Sequence, residues 1–174
     1  MSRKYLNDKY CVRCGRKTVC PYLRNNYDLL IDLKTTGRFH FNVLDIGCGN
    51  GRNSEYMTER GHTVTSLDMV NDYGKKCVLG QNKMPVENNS IDIILCNYLM
   101  MFLNYKEREQ VIGEIKRVAS PICKIMLELY PAKDSYALTS EDMVKMQKEI
   151  FDNLGWKKLR YSKGRFIAQN ECRL

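Results

Sequence analysis

Apolar positions along this chain follow two rhythms, and short polar punctuation separates them. From Tyr22 to Thr36, the residues Leu23, Tyr27, Leu30, Ile31 and Leu33 lie close to a helical stripe, which Gly37 stops. Phe41–Ile46 is a compact apolar run of strand length, and the polar stretch Gly51–Arg60 reads as a first crossover helix closed by Gly61. His62 to Leu67 alternates and is rich in β-branched residues, which predicts a second strand ending in Asp68. Residues 69–90 are the least regular stretch. There Cys77-Val78-Leu79 predicts a short third strand, and Met84 to Ser90 reads as a loop and turn.

Ile91-Asp92-Ile93-Ile94-Leu95-Cys96 is the clearest buried strand and ends at Asn97-Tyr98. Tyr105–Ala119 gathers Val111, Ile112, Ile115 and Val118 on one side, as an amphipathic helix does. Pro121 is expected to start a fresh segment, with a strand over Cys123–Tyr130. Thr139 to Asp142 offers a cap and acidic first-turn residues for a helix running to about Asn153, ended by Gly155. Trp156–Ser162 and Arg165–Asn170 predict a hairpin turning at Lys163-Gly164. This order implies an α/β fold: an open, mostly parallel Rossmann-like sheet with helices on both faces. It is trimmed between strands 2 and 4 and finished by a C-terminal antiparallel edge hairpin.

The chain of 174 residues suits one main core. No apolar run approaches a membrane span, and Met1-Ser2-Arg3-Lys4-Tyr5 lacks the apolar core of a signal peptide. A cytoplasmic location is therefore expected, with the eight cysteines as reduced thiols or metal ligands. Cys11-Val12-Arg13-Cys14-Gly15 has the spacing of a zinc knuckle, and Cys20 is a candidate third ligand. Free thiols on a basic arm are the competing reading. The net charge of +8 and pI near 9.1 suit an anionic partner such as nucleic acid, although the basic residues are spread over both termini without an arginine-rich run.

The chemistry centres on Val43 to Asn53, where a strand ends in Asp45-Ile46 and glycines stand at positions 47, 49 and 51. A strand, tight turn and helix start of this kind bring backbone amides close to a nucleotide-like ligand. The alternate spacing differs from the GxGxxG of dinucleotide proteins. Asp68 lies 21 positions beyond Gly47, where a Rossmann-type fold places the carboxylate that holds ribose hydroxyls.

These features resemble the class I, Rossmann-like methyltransferases that use S-adenosylmethionine (SAM). Val43–Gly51 is similar to that family's motif I, Leu67-Asp68 to its acidic ribose motif, and Met84-Pro85 through Leu95 to its strand-4 region. Gly47 to Ser54, with Met100-Met101-Phe102-Leu103, resembles the tellurite-resistance subgroup in particular. The resemblance implies a domain over residues 22–174, preceded by a Cys-containing arm over 1–21. It implies Asp45, Gly47, Cys48, Gly49, Arg52 and Asn53 around the methionine part of SAM. Asp68 and Met69 would lie at the ribose and adenine, and Asn97, Tyr98 and Leu99 along the transfer side. One position departs from the family: Gly80-Gln81-Asn82 stands where an acidic adenine contact is often found.

The expected activity is SAM-dependent methyl transfer to a small-molecule acceptor by a monomer or small oligomer, without a membrane partner. A catalytic base is not evident; Tyr98 is well placed but equally suited to lining the pocket. The alternatives are an RNA or other nucleic-acid methyltransferase gripping its substrate with the basic arm, and a SAM-binding partner subunit without turnover. Asn97-Tyr98-Leu99-Met100 lacks the prolines of the exocyclic-amine base methylases.

Overall fold

The computed structural model describes residues 18–70, 73–129 and 139–171. Its helices are α1 (Pro21–Ile31), α2 (Leu33–Thr36), α3 (Arg52–Thr58), α4 (Tyr105–Val118) and α5 (Ser140–Leu154). Its strands are β1 (Asn42–Ile46), β2 (Thr63–Asp68), β3 (Lys75–Lys76), β4 (Ile91–Asn97), β5 (Ala119–Glu128), β6 (Lys157–Ser162) and β7 (Arg165–Gln169). They form one sheet in the order β3-β2-β1-β4-β5-β7-β6. The pairs through β5 are parallel, and β7 runs antiparallel to both β5 and β6.

Alternation puts apolar residues of the central strands on both faces of the sheet. Leu44, Ile46, Ile94, Cys96, Ile125 and Leu127 face one core with the apolar sides of α4 and α5. Val43, Ile93, Leu95 and Met126 face a second core with Leu23, Leu30 and Met57 of α1 and α3. Each strand therefore buries both faces, as a parallel sheet under two helical layers requires. Capping boxes start the two long helices, Asn104 with Glu107 for α4 and Thr139 with Asp142 for α5.

Four expectations need correction. The first helical stripe is two helices, because Asp32 adopts a left-handed conformation (φ 41°) and breaks it. The crossover helix α3 ends at Thr58, and Gly61 belongs to the turn beyond it, donating to the Thr58 carbonyl at 2.9 Å. Cys77 and Leu79 are buried core residues rather than strand 3, and the two-residue β3 precedes them. Pro121 lies inside β5 and does not begin a segment. The β4–β5 ladder shifts register between Ala119 and Lys124, so the missing proline N–H falls where pairing is already interrupted. The C-terminal hairpin forms the antiparallel edge as expected, with β7 paired to β5 and β6 outermost.

Gln147 ties the hairpin to α5. Its amide nitrogen donates to the carbonyls of Ser162 (2.7 Å) and Arg165 (3.1 Å), while its oxygen accepts from the Gly164 N–H at 2.8 Å. Gln147→Leu keeps the volume and strands these backbone groups, so stability is expected to fall by about 2–3 kcal/mol in urea unfolding. A loss near zero would mean that water replaces the amide.

Candidate functional site

β1, β2 and β4 run parallel, so their C-terminal ends meet at one sheet edge, where ligands bind in open α/β sheets. The glycine turn after β1 is stitched to the end of β2. The amides of Gly47 and Cys48 donate to the Leu67 carbonyl at 2.8 and 3.1 Å, and the Gly49 amide donates to Asp68 Oδ2 at 2.9 Å. Gly47 (φ 72°) and Gly49 (φ 55°) occupy the left-handed region that glycine tolerates without strain. A Cβ on Gly47 would press on Leu99 at 3.1 Å, whereas one on Gly49 would meet nothing within 4 Å. The turn is thus packed from behind by Leu99 and open at Gly49.

Asp68 sits at the mouth of this opening. Its Oδ1 accepts from the Val70 amide at 3.1 Å, so each carboxylate oxygen holds one backbone donor and keeps lone-pair capacity for a ligand hydroxyl. Met69 follows it, half-buried. Cys48 is buried in the turn itself. This donor set fits an adenosyl ligand, with a glycine turn open at Gly49 and a carboxylate for ribose hydroxyls.

Asp45 lies behind the turn instead of lining it. It is 2% exposed and accepts from Ser54 Oγ at 2.7 Å, and Ser54 in turn accepts from Ser66 Oγ at 2.8 Å. Burial pushes its carboxyl up to about 6, with the Asp68 charge adding to the rise and Ser54 and Arg52 opposing it. Arg52 therefore acts on this site through its charge.

A second group of side chains joins the turn to the ends of β4 and β5. Asn53 Nδ2 donates to Asn97 Oδ1 at 3.3 Å, and Asn97 Nδ2 donates to Glu128 Oε2 at 3.2 Å. Asn97 and Glu128 are direct partners in the β4–β5 register. Tyr98 takes a left-handed backbone conformation (φ 60°), held by its amide donating to the Glu128 carbonyl at 2.8 Å. Its hydroxyl hydrogen-bonds the Glu128 carboxylate, and burial followed by the Glu128 charge pushes the phenol well above its ordinary value. Tyr98 is thus a donor here, not a base.

Cys20 belongs to the same group. It is fully buried, its amide donates to Asn53 Oδ1 at 2.9 Å, and its thiol donates to Glu128 Oε2 at 2.9 Å. Burial and Glu128 push that thiol up to about 11, so it serves here as a donor to Glu128. Cys11 and Cys14 lie outside the described residues, and no metal-binding cluster of His, Cys, Asp and Glu occurs among the described ones. Cys20 is thus a wall of the site rather than part of a detached arm. Gln81 and Asn82 serve local bonds, Gln81 to Glu107 and Asn82 to the Val78 amide. Glu128 was not singled out from the sequence. The signal was a carboxylate ending the buried run Lys124-Ile125-Met126-Leu127.

Residues 44–127 match the family described as "Methyltransferase domain". The chain is similar to that family over this segment, and its fold is that of SAM-dependent methyltransferases of known structure. Its segment of similarity to wheat (Triticum aestivum) phosphoethanolamine N-methyltransferase 1 is 32% identical over 96 residues, 45% of this chain and 19% of that protein. The curated relatives matched are much longer, and the matches span 18–26% of their lengths. Among solved structures, the methyltransferase domain overlays on Burkholderia thailandensis 1,6-didemethyltoxoflavin-N1-methyltransferase, crystallised with 1,6-didemethyltoxoflavin and S-adenosylhomocysteine. The TM-score is 0.65 at 16% identity, covering 86% of this chain and 78% of that one. A TehB-like SAM-dependent methyltransferase from Corynebacterium glutamicum gives a TM-score of 0.56 at 19% identity, covering 85% and 92%. No helix among the described residues is long and apolar enough to cross a membrane.

The raised Asp45 carboxyl makes the domain's stability pH-dependent. The folded state holds this proton more tightly than the unfolded chain, whose carboxyl titrates near its ordinary value of 3.8. The favourable contribution is therefore present below about pH 4 and lost as pH rises through about 6, a change of roughly 3 kcal/mol. Asp45→Asn is expected to remove that slope in denaturant unfolding measured across this interval. An unchanged slope would exclude the shift.

Proposed function

We propose that the chain is a SAM-dependent methyltransferase acting on a small-molecule acceptor. The observation that carries this reading is the glycine turn open at Gly49 and bonded to Asp68, with Asn53 and Asn97 leading away from it to a second polar group. Gly47, Gly49, Arg52 and Asn53 would hold the methionine part of SAM, Asp68 and Met69 the ribose and adenine, and Asn97, Tyr98 and Leu99 the transfer side. SAM supplies a methyl group on an electrophilic sulfonium. The chain's share is to align acceptor and methyl and exclude water, since a displacement of this kind is accelerated chiefly by positioning. Tyr98 and Asn97 are fixed by Glu128 and by Asn53, so the transfer-side wall is rigid before any ligand arrives.

Some relatives and neighbours carry names of small-molecule methyltransferases, such as phosphoethanolamine N-methyltransferase 1 and 1,6-didemethyltoxoflavin-N1-methyltransferase, which supports this reading.

SAM binding is expected to raise the melting temperature, with about 2.7 kcal/mol of stabilisation at a hundredfold excess over Kd. Asp68→Ala should weaken binding at least about tenfold by removing the ribose acceptor. If SAM leaves the melting temperature unchanged, the cofactor assignment fails.

A further inference from the structure

Glu128 is the hub of the transfer side. Its Oε2 accepts from Asn97 Nδ2 at 3.2 Å and from the Cys20 thiol at 2.9 Å, and the Tyr98 hydroxyl bonds the same carboxylate. Arg165 approaches Oε1 only to 3.8 Å, from a half-exposed position. Three neutral donors therefore surround an acidic side chain that is 6% exposed. A buried carboxylate ordinarily takes a charged partner or a full set of strong donors. The Cys20 thiol is the weakest donor of the three. The Tyr22 ring lies 5.1 Å from the Arg165 guanidinium, and its hydroxyl feels the charges of Arg160, Arg165 and Glu128. Tyr22 is 6% exposed and its hydroxyl has no hydrogen-bond partner among the described residues. An orphaned buried hydroxyl beside an under-charged carboxylate marks a place built for a further polar group.

We propose that Glu128 is the acceptor-binding residue and that the acceptor it selects is an amine, whose N–H takes the place of the Cys20 thiol on Oε2. This rests on the methyltransferase reading and names the substrate class of the same site. The chemistry balances without a further reactant. The nitrogen lone pair forms the N–CH3 bond as the C–S bond breaks, and its electron pair stays on sulfur as a neutral thioether. The nitrogen, now cationic, gives its extra proton to the Glu128 carboxylate. An alcohol would have to lose its proton as the O–CH3 bond forms, whereas an amine attacks through its own lone pair, and its product ammonium supplies the positive charge that this buried carboxylate lacks among its close donors. The nearby phenol and thiol are both held protonated by burial, so neither competes for the proton.

The test starts from the full chain incubated with cell extract and SAM carrying an isotope-labelled methyl. Magnetic resonance of the labelled carbon then identifies the bonded atom. An N-methyl product supports the proposal, and an O-methyl or S-methyl product overturns it. Calorimetry next measures the identified amine binding to the chain loaded with S-adenosylhomocysteine. Glu128→Gln is expected to weaken the amine at least about tenfold while SAM affinity stays within about twofold. Unchanged amine affinity overturns the proposal. Should the Gln variant fold poorly, Cys20→Ala carries the test: removing the competing thiol tightens the amine, and unaltered or weaker binding counts against displacement. Failure of wild-type chain to bind SAM, or no labelled product at all, overturns the methyltransferase reading itself and this inference with it.

Discussion

The site depends on the bond set that ties the end of β1 to the end of β2. Two consecutive amides, Gly47 and Cys48, share the Leu67 carbonyl, and the next glycine amide reaches the Asp68 carboxylate. This fixes the turn's path and the acid's orientation together. It also forces close packing, because only a chain without a Cβ at position 47 passes beside Leu99. The parallel register of β1 with β2 and β4 then decides which side chains share the edge. Asp68 comes from one neighbour and Asn97 from the other.

Beyond the turn, the ends of β4 and β5 are joined by side chains that satisfy one another. Asn53 receives the Cys20 amide, Asn97 bridges Asn53 to Glu128, and Glu128 gathers Tyr98 and Cys20. A polar network of this kind holds geometry well when every member is paired, since each unpaired buried group is costly. The strained backbone of Tyr98 persists because β5 grips its amide. The network also draws the segment ahead of α1 into the site, so that Cys20 packs with Leu23 and Met57 in the core.

Much of this was legible in the order of residues. Strong local signals gave β1, β2, β4, α4, α5 and the hairpin, because apolar period and glycine or cap punctuation agree at each of them. The glycine spacing and Asp68 pointed to an adenosyl ligand for the same reason: the chemistry sits on consecutive residues. The misplacements arose where burial and strand formation were confused, as at Cys77 and Leu79, or where proline outweighed context, as at Pro121. Asp32 breaks the first helix through a left-handed turn that its residue type only permits.

The sequence by itself determined the class of fold, the glycine turn after β1 and the carboxylate at the end of β2, since each is written within short local segments. Only the tertiary structure decided that Asp45 is buried behind the turn, and that Cys20, Asn97 and Glu128 meet. Those three are separated by 77 and 31 positions along the chain, and they touch because β4 and β5 pair in one particular register. Register is a property of two strands together, so no local pattern carries it.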